Sequence, residues 1–325
     1  MIAAGPASPS RRGNRHWLAA FGLNIDCDWR LPGSVPASGA GPQSRPVTSI
    51  RLLRREQVDA KSAEAAERIY EPDYPDGKTH FTVDRDSDYY RLWFDGHGRY
   101  LVAVDGTAIG CERAAVSRVK QERFLFAQAL PLAAALQGLE LLHASAVCGD
   151  YGVAAFVGAS GVGKTSLASR LVLRGAGFVT DDVLAVERSS DAPLVHPGPP
   201  FMAIPNEDRP LLRDGSGALG AAIGASDKVH ASPRAIDRAM PLRALFYLEP
   251  GPAFRITPLG EAGVRRLLAS AFAPYLMTPD RLRRHLEVAQ LVSTSVDQFR
   301  LQMPRTRSLE AILGTLETQL RESAV

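Results

Sequence analysis

Residues 153–165 read Val153-Ala154-Ala155-Phe156-Val157-Gly158-Ala159-Ser160-Gly161-Val162-Gly163-Lys164-Thr165, and a little further on the chain runs Phe178-Val179-Thr180-Asp181-Asp182. Val153 to Val157 is an apolar run of strand length that enters the glycines directly. From Lys164 to about Leu173 the pattern is helical, and Gly175 and Gly177 are residue types suited to closing a helix. Phe178 to Thr180 reads as a second strand. Strand, glycine loop, helix and strand make one βαβ unit, whose crossover sends both strand ends to the same edge of the sheet. Ligands of α/β sheets bind along that edge, so Asp181 and Asp182 are expected to face the glycine loop.

Gly158 to Thr165 satisfies Gly-x-x-x-x-Gly-Lys-Ser/Thr, the phosphate-binding P-loop pattern. Glycines let successive backbone N–H groups turn around phosphate oxygens, and the helix opening near Gly163 adds the positive end of its dipole. Gly158, Ala159, Ser160, Gly161, Val162, Gly163, Lys164, Thr165 and Ser166 are therefore the expected nucleotide contacts. Lys164 would reach the outer phosphates, and the Thr165 hydroxyl would ligate Mg²⁺. Against this stands coincidence: the four fixed positions meet by chance in about one chain in a hundred of this length. The strand and helix flanks make coincidence rarer still.

Two adjacent carboxylates can divide a phosphoryl transfer between them, one serving the metal and one accepting the proton of an attacking hydroxyl. Proximity of like charges also raises one pKa, as a base requires. Asp182 is placed with Thr165 on the metal, and both aspartates in the catalytic set with Lys164 and His143, although residue types alone leave the aspartates' division of labour open. The plainer alternative is a solvated turn, since Asp-Asp is common in loops. His143, on the strand before the glycine-loop strand, is a candidate for lining the acceptor site or, equally, a satisfied core histidine. Lys228 lies in a weakly patterned stretch from Arg213 to Ser232, of the kind that forms mobile loops over active sites. It is a candidate for neutralising the transferring phosphoryl group, set against an ordinary surface lysine. Arg281, Arg283 and Arg284 read as an exposed helix face.

Bulk properties narrow the rest. The chain has 325 residues, 45% hydrophobic and 22% charged, with a formal net charge of +3. That length exceeds a usual single core, and the balance is that of an ordinary globular protein. No dense basic face suggests nucleic acid as a partner. No apolar stretch reaches the roughly 20 residues of a membrane span. Cys27, Cys111 and Cys148 are far apart and lack metal-binding spacing, so a reducing cytoplasm is the expected setting.

Three parts are expected: a disordered lead-in over residues 1–16, a β-rich N-terminal module over 17–113, and an α/β domain over 114–325. The first module carries a Gly/Pro/Ser-rich loop from Gly33 to Pro46 and a hairpin, Tyr89 to Phe94 with Tyr100 to Val104, around Asp95-Gly96-His97-Gly98. Ala114 to Gln137 reads as a helix that Pro131 kinks or breaks. Strands follow at Leu141–Val147, Ala244–Leu248, Phe254–Thr257 and Gln298–Gln302. Helices are expected around Val264–Phe272, from Asp280 to about Val292, and over Leu309–Leu320.

The segment from His143 to Val186 resembles the HPr kinase/phosphorylase family. There a histidine precedes the P-loop at about this distance, and a helix ending near Arg-Gly leads to an apolar strand and an Asp-Asp pair. Here these are His143, Gly158 to Thr165, Arg174-Gly175 and Asp181-Asp182. The resemblance implies a P-loop kinase domain related to phosphoenolpyruvate carboxykinase, using ATP and Mg²⁺, with one aspartate as base toward a serine hydroxyl. Relatives of this fold often assemble, which makes a homo-oligomer a candidate while the residues leave the oligomeric state open. The chain departs from the family downstream of the Asp pair, where Pro197 to Pro205 replaces a Glu-x-x-Gly-rich signature. The β-rich N-terminal half also differs, and is closer to HPr-kinase-like enzymes that modify ribosomally made peptides, such as lasso-peptide tailoring kinases. The expected function is an ATP-dependent kinase of a serine in a peptide or protein. A metabolite kinase or carboxykinase-like enzyme, and a non-catalytic nucleotide sensor, are the alternatives.

Overall fold

A computed structural model describes residues 15–36, 45–61, 66–113, 116–212, 217–220, 222–225, 228–260, 262–276, 278–304 and 309–322. It is a mixed α/β protein. Nine strands come first: β1 His16–Ala20, β2 Leu23–Cys27, β3 Val35–Pro36, β4 Val47–Leu53, β5 Glu67–Tyr70, β6 Phe81–Arg85, β7 Tyr89–Phe94, β8 Gly98–Ala103 and β9 Ala108–Glu112, with a short helix α1 at Arg55–Ala60. They form one sheet in the order β3-β1-β2-β4-β9-β8-β7-β6-β5. The hairpin read around Asp95-Gly96 is β7–β8, with Gly96 and Gly98 at φ of 68° and 91°. A second tight turn, Phe21-Gly22 between β1 and β2, has both residues at positive φ, 52° and 73°, as a type I′ turn requires.

Two expectations change here. His16, assigned to the lead-in, belongs to the sheet, where it pairs with Cys27, and Arg15 just before it forms an ion pair with Asp26 at 3.0 Å. Residues 1–14, and 37–44 of the Gly33–Pro46 loop, lie outside the described residues. The helix read over 114–137 is three consecutive pieces, α2 Arg118–Phe124, a π-helical stretch Leu125–Ala129, and α3 Leu130–Leu136. The widened turn comes just before Pro131 because proline offers no N–H to the carbonyl four residues back and its ring crowds that carbonyl. Leu125, Phe126, Ala129, Leu130 and Leu132 bury one side of this rod against Tyr100, Val102 and Leu23 of the sheet.

The second half holds β10 Glu140–Gly149, β11 Gly152–Val157, β12 Gly177–Thr180, β13 Val183–Glu187, β14 Leu194–His196, β15 Met202–Pro205, β16 Ala222–Ala225, β17 Lys228–Ala231, β18 Met240–Pro250, β19 Arg255–Pro258 and β20 Asp297–Met303. Its helices are α4 Lys164–Leu173, α5 Ala262–Leu268, α6 Pro279–Ser295 and α7 Leu309–Glu322. β11, β18 and β20 run parallel, while β10 lies antiparallel to β11. The long strands β10 and β18 each change partners along their length. β10 pairs with β13 and then β11, and β18 pairs with β14 and then β11, so that β10, β13, β14, β18 and β11 close a ring. Helices α4 and α7 cover one face through Leu167, Leu171, Leu313, Leu316 and Leu320, packed on Phe156, Phe246 and Phe299. Helices α5 and α6 cover the other with Leu267, Val288 and Val292. Each such fully buried side chain contributes about 1.5–3 kcal/mol relative to exposure. Among the described residues no helix is long and apolar enough to cross a membrane.

Three more readings are corrected. β12 does run parallel to β11, but it pairs with β10, which lies between them, so the βαβ unit skips a strand. The stretch from Arg213 to Ser232, read as a mobile loop, contains β16 and β17, which join β15 in a three-stranded sheet. Val229, His230 and Ala231 are all buried, so the strand lacks the alternation that would have revealed it; residues 213–216, 221 and 226–227 lie outside the described residues. Finally, Arg281 is not an exposed face residue. It is 1% exposed and paired with Glu140 at 3.1 Å.

Candidate active site

The site is set by what the backbone does at two points. The glycine loop leaves the carboxyl end of β11 and enters α4 with Gly161 and Gly163 at φ of 78° and 106°, conformations that side chains other than glycine resist. An added Cβ on Gly158 would lie 2.7 Å from the Leu248 carbonyl oxygen, so the loop's start is packed directly on β18. At its far end α4 closes in a Schellman motif: the Ala176 N–H donates to the Leu171 carbonyl and the Gly175 N–H to that of Val172, both at 3.0 Å. The chain then returns along β12.

The second point is Asp181-Asp182. Thr180 lies opposite Ala146 and Val183 opposite His143, so β12 and β13 occupy one register along β10 and the aspartates interrupt a single line of pairing. Asp182 has φ of 72°, and the Thr180 hydroxyl donates to the Val183 carbonyl at 2.6 Å. A non-glycine residue in this conformation stores strain, and such outliers concentrate at functional positions. The twist sends the two side chains to different surroundings.

Asp181 is half-buried and accepts three hydrogen bonds. Thr165 Oγ1 and Ser145 Oγ donate to its Oδ1 at 2.8 and 2.6 Å, and the Ala203 N–H donates to Oδ2 at 3.1 Å. Burial pushes its pKa up and the neighbouring Asp182 charge adds to that, against the opposing effect of those three donors. Asp182 is exposed and lies 3.5 Å from His143 Nδ1. Burial lowers the His143 pKa in spite of the Asp182 charge, which favours a neutral imidazole. Lys164 is 7% exposed and donates to the carbonyls of Gly158 and Ala159 at 2.8 and 3.2 Å. Its pKa is also lowered, by burial, with Asp182 and Asp181 opposing.

The structure thus brings His143, Lys164, Thr165, Asp181 and Asp182 to one sheet edge. Thr165 reaches Asp181, rather than the Asp182 expected beside it on the metal. Lys228 also arrives here, on β17, where it shares a narrow slot of about 70 Å³ with Thr165, Asp181 and Asp182. Ser166 turns away from this edge, and its side chain hydrogen-bonds Asp208, which Arg170 also holds at 2.8 Å. On the other side of the glycine loop lies a larger hollow of about 440 Å³ whose lining includes His143, Gly158, Ala159, Tyr247, Arg266 and Ser270.

Sequence reasoning missed several neighbours. Ser145 was legible in principle, two residues beyond His143 on the same strand face. Ala203 comes from the Pro197–Pro205 segment, which was noted only as a departure from a family pattern. Phe21, Phe126 and Phe201 also border the slot, and Phe126 lies on Phe201 with ring centroids 5.5 Å apart. Phe21 and Phe126 belong to the first half of the chain, and no local signal ties them to residues 181–182. Among the described residues no group of three or more His, Cys, Asp or Glu side chains gathers to hold a metal on its own.

No family model matches the chain, and no curated protein matches it either. Among solved structures it is similar to the Hpr(Ser) kinase/phosphatase from Coxiella burnetii, at 16% identity and a TM-score of 0.30, over 56% of this chain and 90% of that one.

Proposed function

We propose that the chain is an ATP- and Mg²⁺-dependent kinase with the P-loop kinase fold read from its sequence, transferring the terminal phosphoryl group to a serine hydroxyl of a peptide or protein. The observation that carries this reading is the 2.8 Å hydrogen bond from Thr165 to Asp181, with Asp182 turned toward His143 beside it. The donor set suits the ligands. Left-handed glycines at 161 and 163 shape a loop able to turn amide N–H groups toward phosphate oxygens, and the oxygen donors of Thr165 and Asp181 match a hard cation that keeps much of its water.

ATP would supply the phosphoryl group, and magnesium would neutralise charge on its oxygens. Loop N–H groups from Gly158 to Thr165 hold the phosphates, and Lys164 offers its charge from within the loop. Thr165 and Asp181 serve the metal, since Asp181 is the carboxylate in contact with that hydroxyl. Asp182 accepts the proton of the incoming hydroxyl as that oxygen bonds to phosphorus and the bond to the nucleotide breaks. His143, half-buried and so favoured in its neutral form, lies 3.5 Å from Asp182 and orients it. Lys228 borders the same carboxylates and adds positive charge.

The test is incubation of the whole chain with γ-labelled Mg·ATP and seryl peptides, read by label transfer and by mass spectrometry for phosphoserine. Label on a serine that disappears in Asp182→Asn supports the assignment. Transfer that survives in both Asp181→Asn and Asp182→Asn defeats it. Tight ATP binding with no acceptor-dependent ADP release would make the protein a nucleotide sensor, and turnover of a free hydroxy compound a metabolite kinase.

A further inference from the structure

We infer that the hollow on the His143 side of the glycine loop is the acceptor subsite, and that Arg266 selects a serine with a carboxylate side chain next to it in the peptide. The inference rests on the kinase reading above. The division of the two aspartates gives the direction. Asp181 is tied to Thr165 and so lies on the metal side, whereas Asp182 and His143 form the pair that can receive a proton. His143 is in the wall of the larger hollow and Asp182 in that of the slot, 3.5 Å apart, so a hydroxyl entering through the hollow meets His143 beside the start of the loop and reaches Asp182 past it.

The hollow is framed by hydrogen bonds within the protein. Its floor, residues 269–272, leaves α5 and joins β10: the His143 N–H donates to the Ser270 carbonyl and the Phe272 N–H to the Leu141 carbonyl, both at 2.9 Å. Arg281 locks the next turn by donating to the carbonyls of Phe272 and Ala273, and Ala273 is held at φ of 51°. At about 440 Å³ the space is in the range of ligand-binding clefts and has room for a short extended peptide segment.

Its polar groups are few. The Tyr247 hydroxyl lies between the Gly263 carbonyl and Gln298 Oε1 at 3.1 and 3.0 Å, and Ser270 Oγ donates to the Leu267 carbonyl at 2.6 Å. Both hydroxyls are thus committed inward. His143 and Arg266 are the lining residues whose ionisable ends are left to address a ligand. Among the described residues Arg266 makes one hydrogen bond, from Nη2 to Glu249 Oε2 at 3.1 Å, and its guanidinium stands 5.9 Å from the Tyr247 ring centroid. A guanidinium has five N–H donors in a planar fork that matches a carboxylate, so this partner does not exhaust it. An acceptor presenting its hydroxyl to Asp182 and a carboxylate to Arg266 would be held at two points, which fixes its orientation for transfer.

The experiment uses the whole chain with Mg²⁺ and a non-hydrolysable ATP analogue, and titrates by calorimetry three peptides of equal length: serine flanked by Asp, by Asn, or by Lys. The Asp peptide should bind at least 10-fold more tightly than the Asn peptide. Arg266→Ala should erase that difference, Arg266→Lys should keep part of it, and Arg266→Glu should turn the preference toward the Lys peptide. Nucleotide affinity should be the same in all four proteins. Equal binding of the Asp and Asn peptides by the wild type overturns the inference, as does a loss in Arg266→Ala of nucleotide affinity rather than peptide affinity, which would give the hollow to the nucleoside. An Arg266-dependent peptide that never takes label from γ-labelled ATP leaves the subsite standing and removes the kinase reading.

Discussion

Strand β10 carries two charge clusters three residues apart, and they are solved in opposite ways. At its start Glu140 is 1% exposed and touches Arg281 at 3.1 Å and His285 at 3.0 Å, both also almost fully buried. Burial alone would raise the Glu140 pKa, but the His285 hydrogen bond and the Arg281 charge overcome it and hold the carboxylate below its usual range. A little further along, Ser145 and His143 face the aspartate pair. There burial prevails: Asp181 is raised, His143 and Lys164 are lowered, and all three are pushed toward their neutral forms. The first cluster is compensated and holds the floor of the hollow. The second is under-compensated within the protein itself, which is how a site behaves when part of its charge balance comes from what it binds.

The sharpest break between the two is substitution of the exposed carboxylate. Asp182→Asn should lower label transfer by about 10²–10⁴-fold, the usual contribution of a positioned proton acceptor. Because the side chain is exposed, its thermal midpoint should stay close to that of the wild type. A variant that loses both activity and fold would instead place Asp182 among the structural residues.

Arg281→Ala should behave in the reverse way. Removing Arg281 leaves the buried Glu140 with His285 as its remaining charged neighbour among the described residues, at a cost approaching the about 3–5 kcal/mol of a broken buried pair, measured by urea unfolding. It also releases the carbonyls of Phe272 and Ala273 beneath the hollow. A loss below about 1 kcal/mol, the range of exposed ion pairs, would show that the cluster is solvated in solution.

This contrast also explains what was legible beforehand. The second cluster lies on a local motif: glycines, a lysine and a threonine in fixed order, then two aspartates one helix and one strand later. Chain direction alone brings those residues to one edge, and β12 keeps its carboxyl end there even though β10 intervenes. The first cluster joins residues 140, 281 and 285 across the whole second half, and nothing in the spacing of Arg281, Arg283 and Arg284 separates the buried arginine from its exposed neighbour. Helix α6 buries Arg281, His285, Val288 and Val292 along one stripe, a pattern in which the polar members conceal the face. Phe21 and Phe126 were hidden for a related reason, since their neighbours in space are set by how the nine-stranded sheet meets the second half.

Titration separates the clusters further. The folded protein holds the Asp181 proton to higher pH than the unfolded chain, whose value is near 3.8, so the native state binds more protons across that interval. Stability therefore falls as pH rises from about 3.8 through the raised native value, and remains lower above it. Glu140 acts oppositely. Its native pKa is depressed, so its contribution is present above the unfolded value of 4.5 and is lost as pH falls through the native one. Urea unfolding between pH 3 and 7 should show Asp181→Asn removing the first trend and Glu140→Gln the second. If Asp181→Asn leaves the profile unchanged, the carboxylate is better solvated than its three donors imply.

The smallest effect is the most specific. Ser145 Oγ donates to Asp181 Oδ1 at 2.6 Å from a fully buried position, and Ser145→Ala should cost about 1 kcal/mol at neutral pH, the net value of one such bond. With that donor gone the carboxylate is less stabilised, so the pH interval over which stability falls should extend upward. In an Asp181→Asn background there is no charge for the hydroxyl to stabilise, and the serine substitution should there cost measurably less. A double-mutant cycle measures the difference directly. A coupling indistinguishable from zero would mean that Ser145 packs beside Asp181 without supporting its charge, and that Thr165 and the Ala203 N–H do so alone.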